Sequence, residues 1–267
     1  MEPLTLGLAA AAAIAVALSY SWVVLPRLER RMESGAVDGF VATLVGAWLR
    51  AFHRPEWIGF DQARAAAASG AIIISNHGSG IDPFLLQLPF RRRIRWMMAR
   101  EQMLSGLSEV WEHLEVLPVT YGPEDAASFR EALRHVQGGG LLGIFPEAGI
   151  ARPPREIRPF LAGASLLVAR SRVPVIVCWI ENAPYASSAL RTLFKPARVT
   201  VHCLGVVDFK RERNPEVITN RLRGMIQEAS GWPLNDAPLE GRGRRERIAP
   251  HGRDAGSPPM PAVRIGR

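Results

Sequence analysis

Residues 74–85 read ISNHGSGIDPFL and place a histidine, His77, five positions before an aspartate, Asp82. A carboxylate that holds one imidazole nitrogen leaves the other free to take a proton, so a paired His77 and Asp82 would form a general base. With no strongly activated nucleophile beside it, such a dyad would activate a hydroxyl of the substrate. Ser79 is a candidate nucleophile by position, but its glycine-flanked setting gives no strained elbow of the kind that activates a serine. The competing reading is structural. Asp82 precedes Pro83, and Asp before Pro at a helix start is a capping signal, which leaves His77 as a loop residue. A continuous helix would set the two side chains roughly 140° apart, so they pair only if a loop folds one back on the other. Gly78 and Gly80 supply that loop by tolerating backbone angles that other residues avoid.

The elements that would hold the dyad alternate along the body of the chain. Strand-like runs are WIGF from Trp57, AIIIS from Ala71, EVLPVT from Glu115, LLGIF from Leu141, VPVIVCWI from Val173 and RVTVHCLG from Arg198. Helical runs are DPFLLQL, AASFREALRHVQ, AGASLLVARS and NPEVITNRLRGMIQEAS. This alternation implies an α/β domain with a layered, mixed and partly parallel sheet flanked by helices over 55–234. His77 follows the run Ala71–Ile74 at the end where a strand exits into a loop, the end that binds ligands in such sheets.

Upstream, Leu4 to Leu25 carries no charge and is long enough to span a membrane as one helix, with Trp22 near its far end. Arg27, Arg30 and Arg31 follow it, which orients the remainder to the cytoplasmic side, and residues 1–31 are read as an N-terminal membrane anchor. In 32–54, Val37, Phe40, Val41, Leu44, Trp48, Leu49 and Phe52 fall at helical spacing. That helix either packs on the domain or lies in the membrane surface with Arg50 and Arg54 near lipid phosphates. Residues 235–267, rich in Pro, Gly and Arg, read as a disordered basic tail.

The formal net charge of +8 favours an acidic partner: anionic lipid, a phosphorylated cofactor or an acidic carrier protein. Nucleic acid is disfavoured because no recognition fold accompanies the charge. Arg91, Arg92, Arg93, Arg95 and Arg100 form either a patch for such a partner or a solvated loop. His113, His135, His202 and His251 have no second ligand at metal spacing, so no metal is expected. Cys178 and Cys203 read as reduced core residues.

SNHGSGIDPFLL resembles the NHxxxxD block of the glycerolipid acyltransferase family typified by 1-acylglycerol-3-phosphate acyltransferase. MMAREQML is similar to the block that follows it there, and FPEAGI with the later VPVIVCWI to the FPEG block and its Val-Pro strand. Order and intervals fit from about Glu56 to Glu228. The resemblance implies that His77 is the general base, Asp82 its orienting partner, and Asn76 and Ser79 supports of the loop. It implies that Phe145, Pro146 and Glu147 wall the meeting point of two substrates. The acyl donor would be acyl-CoA or acyl carrier protein and the acceptor lysophosphatidate, another lysophospholipid or another membrane-lipid hydroxyl or amine, with no bound cofactor. A thioesterase-like hydrolase and a non-catalytic lipid-binding scaffold are the alternatives on the same fold. Two arginines expected for an acceptor phosphate are absent: the first position falls near Tyr121 and the second at Ile150. Arg152, Arg155 or Arg158 would have to compensate, with Arg100 a further candidate for substrate phosphates.

Overall fold

The computed structural model describes residues 19–120, 125–151, 153–186 and 188–237. Their sheet has seven strands: β1 Glu56–Ile58, β2 Ala71–Ser75, β3 Ile94–Ala99, β4 Leu117–Val119, β5 Leu141–Ile144, β6 Val175–Glu181 and β7 Thr200–Val207. Their spatial order is β1-β7-β6-β2-β5-β3-β4. Neighbours run parallel except β6 and β7, which are antiparallel with a register shift between Val177 and Cys178. The expected mixed, partly parallel sheet is therefore present, and all but one of its strand pairs are parallel.

Strands buried on both faces read as continuous apolar runs, and β2 is such a strand, buried along its whole length. Its alternating side chains feed two cores. Ile72 and Ile74 join Leu142, Ile144, Val175 and Val177 on one face. There they meet α6 (Ala126–Gln137) through Ala132 and Val136, α7 (Ala162–Ser171) through Leu167 and Val168, and α9 (Pro215–Ser230) through Ile218, Leu222 and Ile226. On the other face, Ala71 and Ile73 pack with α3 (Phe60–Ala67) and α4 (Asp82–Gln87) through Phe60, Ala63, Leu85 and Leu86. Two shorter helices, α5 (Ser108–His113) and α8 (Ala189–Thr192), complete the layers. Near its C-terminal end the described chain returns to pin the loop after β5: Ile157 N–H donates to Pro233 and Asn235 N–H to Ile157.

The expected membrane span, Leu4 to Leu25, lies mostly outside the described residues. Among those described, no single helix is long and apolar enough to cross a membrane; α1 (Leu25–Arg31) and α2 (Ala36–Phe52) form a pair bent by 77°. α2 packs inward through Gly39, Ala42, Gly46 and Leu49, while Val37, Phe40, Val41 and Leu44 face outward and are exposed. The apolar stripe read from the sequence is thus mostly the outer face; packing on the body is achieved by Leu49 with the half-buried Val45 and Trp48, whose ring meets Phe84 edge-on. A Cβ on Gly39 would overlap the Leu28 carbonyl oxygen, so only glycine lets α1 cross α2 this closely. Gly39→Val is expected to lever α1 off α2, and tryptic cleavage between Arg27 and Arg31 should accelerate by about tenfold or more, since local opening sets proteolysis.

Candidate active site

Asn76 follows β2 and acts as a side-chain extension of the ladder. Its Oδ1 accepts from Ile180 N–H at 2.8 Å, and its Nδ2 donates to Ile180 O at 3.0 Å. These bonds lash the start of the loop to the neighbouring strand β6. The chain then turns, and Asp82, fully buried, reaches back to organise it. A single carboxylate oxygen, Asp82 Oδ2, receives His77 Nδ1 at 2.9 Å and the backbone N–H groups of Gly78 and Ser79, each at 2.8 Å. Asp82 is therefore not a side-chain cap of its own helix, as the capping reading supposed; no capping bond from a side chain forms at the start of α4. Its other oxygen, Oδ1, has no partner among the described residues. His77 Nε2 likewise has no hydrogen-bond partner there, and the His77 side chain keeps 17% exposure.

The glycines work differently from the expectation. Neither Gly78 nor Gly80 has a positive φ. At Gly80 the constraint is space: a Cβ would come within 2.7 Å of the Ala189 carbonyl oxygen, and Gly80 N–H donates to Thr192 Oγ1 at 3.1 Å. Ser79 supports the loop through its backbone. Its buried hydroxyl has no partner among the described residues, so no base there activates it as a nucleophile.

Phe145, Pro146 and Glu147 leave β5 beside this loop. The Phe145 ring stacks on His77, centroids 4.1 Å apart and planes 14° off parallel. Behind it Trp96 of β3 stacks on Phe145 at 4.9 Å. Trp96 fits because Gly143 has no side chain; a Cβ there would sit 2.4 Å from the indole. The Pro146 carbonyl accepts from Leu161 N–H at 2.8 Å. Ala148 occupies a left-handed conformation with φ 56°, a geometry that disfavours any residue with a Cβ by about 1–2 kcal/mol. A glycine at this place in the related FPEG block would carry no such cost.

Glu147 is fully buried and bridges two segments. Oε1 accepts from His77 N–H at 3.2 Å and Oε2 from Arg158 N–H at 3.1 Å. The His77 carbonyl in turn accepts from Ala151 N–H at 2.7 Å. Burial pushes the Glu147 carboxyl up to about 7, against the opposing pull of the Arg158 and His77 amides and the nearby positive charges. Arg158 brings its Nε into this buried region with no partner among the described residues.

His77, Asp82, Asn76, Ser79, Phe145, Pro146 and Glu147 thus converge as one cluster. Arg152 lies outside the described residues, as does Tyr121. Arg100 is exposed just after β3, lining an open cavity of about 550 Å³ with Met103, Leu104 and Trp111. No contact among the described residues joins it to the dyad. Within the run, Arg91 is exposed, whereas Arg92, Arg93 and Arg95 form neither a free patch nor a solvated loop. Arg92 donates to the carbonyls of Ala67 and Gly139, Arg93 pairs with Asp38 and Glu115, and Arg95 with Glu115 and Glu131. Trp96 carries no signal in the sequence, where Ile94–Ala99 is not among the strand-like runs.

Proton abstraction from a hydroxyl placed at Nε2 is what this arrangement can do, with the imidazolium held by Asp82. Residues 58–181, from the end of β1 to the end of β6, match the Acyltransferase family model. That stretch is an acyltransferase domain, and with the fold it supports an acyltransferase. Among solved structures it is similar to the crystal structure of the 1-acyl-sn-glycerophosphate (LPA) acyltransferase PlsC from Thermotoga maritima. That likeness has 19% identity and a TM-score of 0.56, covers 90% of this chain and 95% of the other, and establishes the shared fold. No curated protein matches the chain.

Glu147 makes stability depend on pH. Unfolded, it ionises near its ordinary 4.5; folded, it holds its proton to about 7. Between those values the unfolded state binds fewer protons, so stability falls as pH rises from about 4.5 to about 7. Urea midpoints across that window should show this slope in the parent and a flatter profile in Glu147→Gln, even if the variant is less stable throughout.

Proposed function

We propose that the chain transfers a fatty acyl group from a thioester, acyl-CoA or acyl carrier protein, to the hydroxyl of a lysolipid at a membrane surface. The observation that carries this is the His77 ring, held at Nδ1 by Asp82 and open at Nε2. Nε2 takes the acceptor proton as its oxygen attacks the thioester carbonyl. The tetrahedral intermediate collapses to the ester, the C–S bond breaks, and the imidazolium returns the proton to the leaving thiolate. Asp82, held in place by two amides at Oδ2, stabilises the imidazolium without moving. Phe145 keeps the ring in plane from one side and excludes water there.

Ile150 offers no charge to an acceptor phosphate, and Arg158 is the replacement best supported. Its backbone is tied to Glu147 and its Nε is uncommitted among the described residues. Membrane attachment is supported by the outward apolar face of α2 and, in the sequence, by Leu4 to Leu25.

The test is acyl transfer by the full chain, assayed with radiolabelled acyl-CoA or acyl carrier protein and a panel of lysolipids. His77→Ala should lose about 10²–10⁴-fold in rate, the usual contribution of a general base. Arg158→Gln should raise KM for lysophosphatidate by about 10–100-fold, the worth of a charge-assisted hydrogen bond. It should leave transfer to an uncharged monoacylglycerol unchanged. Full activity of His77→Ala would overturn the mechanism, and free fatty acid as the sole labelled product would replace the transferase by a hydrolase.

A further inference from the structure

At the end of α4 remote from Asp82, about 9 Å along a six-residue helix, is a second concave site. It has a volume of about 340 Å³, and Arg30, Arg31, Arg50, Arg64 and Arg91 line it together with Trp57. These five guanidiniums come from four separate segments: the last turn of α1, α2, α3 and the turn after α4. Arg31 and Arg50 crowd the same point, since a Cβ on Gly46 would lie 3.0 Å from Arg50 NH1 and 3.5 Å from Arg31 NH2. The bare glycine on the inner face of α2 is what gives them room.

Like charges gathered this closely repel unless something negative sits between them. The protein supplies little. Arg64 pairs with Asp61, whose side chain is almost wholly exposed, and donates to the Pro89 carbonyl. Arg30, Arg31, Arg50 and Arg91 form no ion pair among the described residues. The contrast with their neighbours is sharp: Arg92, Arg93 and Arg95 all have carboxylate or carbonyl partners. Charge left uncompensated at one concavity, in a chain that satisfies its adjacent arginines, marks a place for an external anion.

We propose that this pocket binds a phosphate group and is a site separate from the one that performs acyl transfer. Several planar forks directed at one cavity suit the oxygens of a phosphate mono- or diester. The position favours the headgroup of an anionic lipid as the source. The pocket lies at the α1–α2 junction, and α2 presents Val37, Phe40, Val41 and Leu44 on its outer face. A soluble phosphate ester would use the same contacts.

Binding, not turnover, tests the pocket, so the outcome is independent of the chemistry at His77. The full chain in neutral detergent is titrated with inorganic pyrophosphate by calorimetry. It is also sedimented with phosphatidylcholine vesicles that contain or lack phosphatidylglycerol. The double variant Arg31→Gln, Arg50→Gln should weaken phosphate-dependent binding by about tenfold or more. The charge-matched variant Arg27→Gln, Arg54→Gln, outside the pocket, should weaken it by less than about threefold through general electrostatics. Gly46→Leu, which fills the cavity and removes no charge, should match the first variant; retained circular dichroism and melting temperature exclude misfolding. Pocket-dependent pyrophosphate binding would identify a soluble ligand, and pocket-dependent binding to anionic vesicles alone a headgroup; either supports the site. Equal losses in both double variants, unaltered binding by Gly46→Leu, or binding of neither probe would overturn it.

Discussion

One carboxylate oxygen governs the site. Asp82 Oδ2 accepts three hydrogen bonds, from the His77 ring and from the amides of Gly78 and Ser79, inside a fully buried environment. A buried carboxylate needs compensating hydrogen bonds, and here the three that Oδ2 accepts fold the loop, while Oδ1 has no partner among the described residues. The same contacts that make Asp82 affordable to bury bring the imidazole back over five residues and fix which ring nitrogen faces outward. Loop geometry and catalytic geometry are therefore one constraint.

The sheet supplies the rigid frame for that constraint. β2 ends where Asn76 borrows the ladder of β6, so the loop begins at a point that cannot slide. Glu147 ties the backbone of His77 to the loop carrying Arg158, and the rings of Trp96, Phe145 and His77 stack from β3 through β5 to the dyad. Each support comes from a different strand or loop, which holds the base in place more firmly than contacts within one loop would. The cost is visible in local features that a free chain would avoid: Ala148 in a left-handed conformation, and a carboxyl at position 147 kept out of water.

Much of this was legible in the sequence. Helices over Ala126–Gln137 and Ala162–Ser171 and the strand at Ala71–Ser75 fall where periodicity and apolar runs put them, because their burial pattern is written in adjacent residues. The dyad was legible because both members share one loop. What escaped was tertiary. Trp96 reaches His77 only through Phe145 and a glycine on a neighbouring strand. The helix Phe60–Ala67 has too few large apolar residues to declare itself, and the arginines from 91 to 95 look alike in sequence. Structure divides them, sending Arg92, Arg93 and Arg95 to internal partners and Arg91 to a pocket. The α2 stripe was visible, but the side it faces depended on contacts the sequence does not display: Gly39 against Leu28 of α1, and Leu49 and Trp48 against the body.

The central claim is that Asp82 holds the neutral His77 ring with its proton on Nδ1 and leaves Nε2 as the base. Two-bond ¹⁵N–¹H correlation spectra of the full chain, with the His77 ring assigned by its loss in His77→Gln, read the tautomer directly. The account predicts a protonated Nδ1 and a bare Nε2 for the neutral ring. A proton found on Nε2 would contradict it.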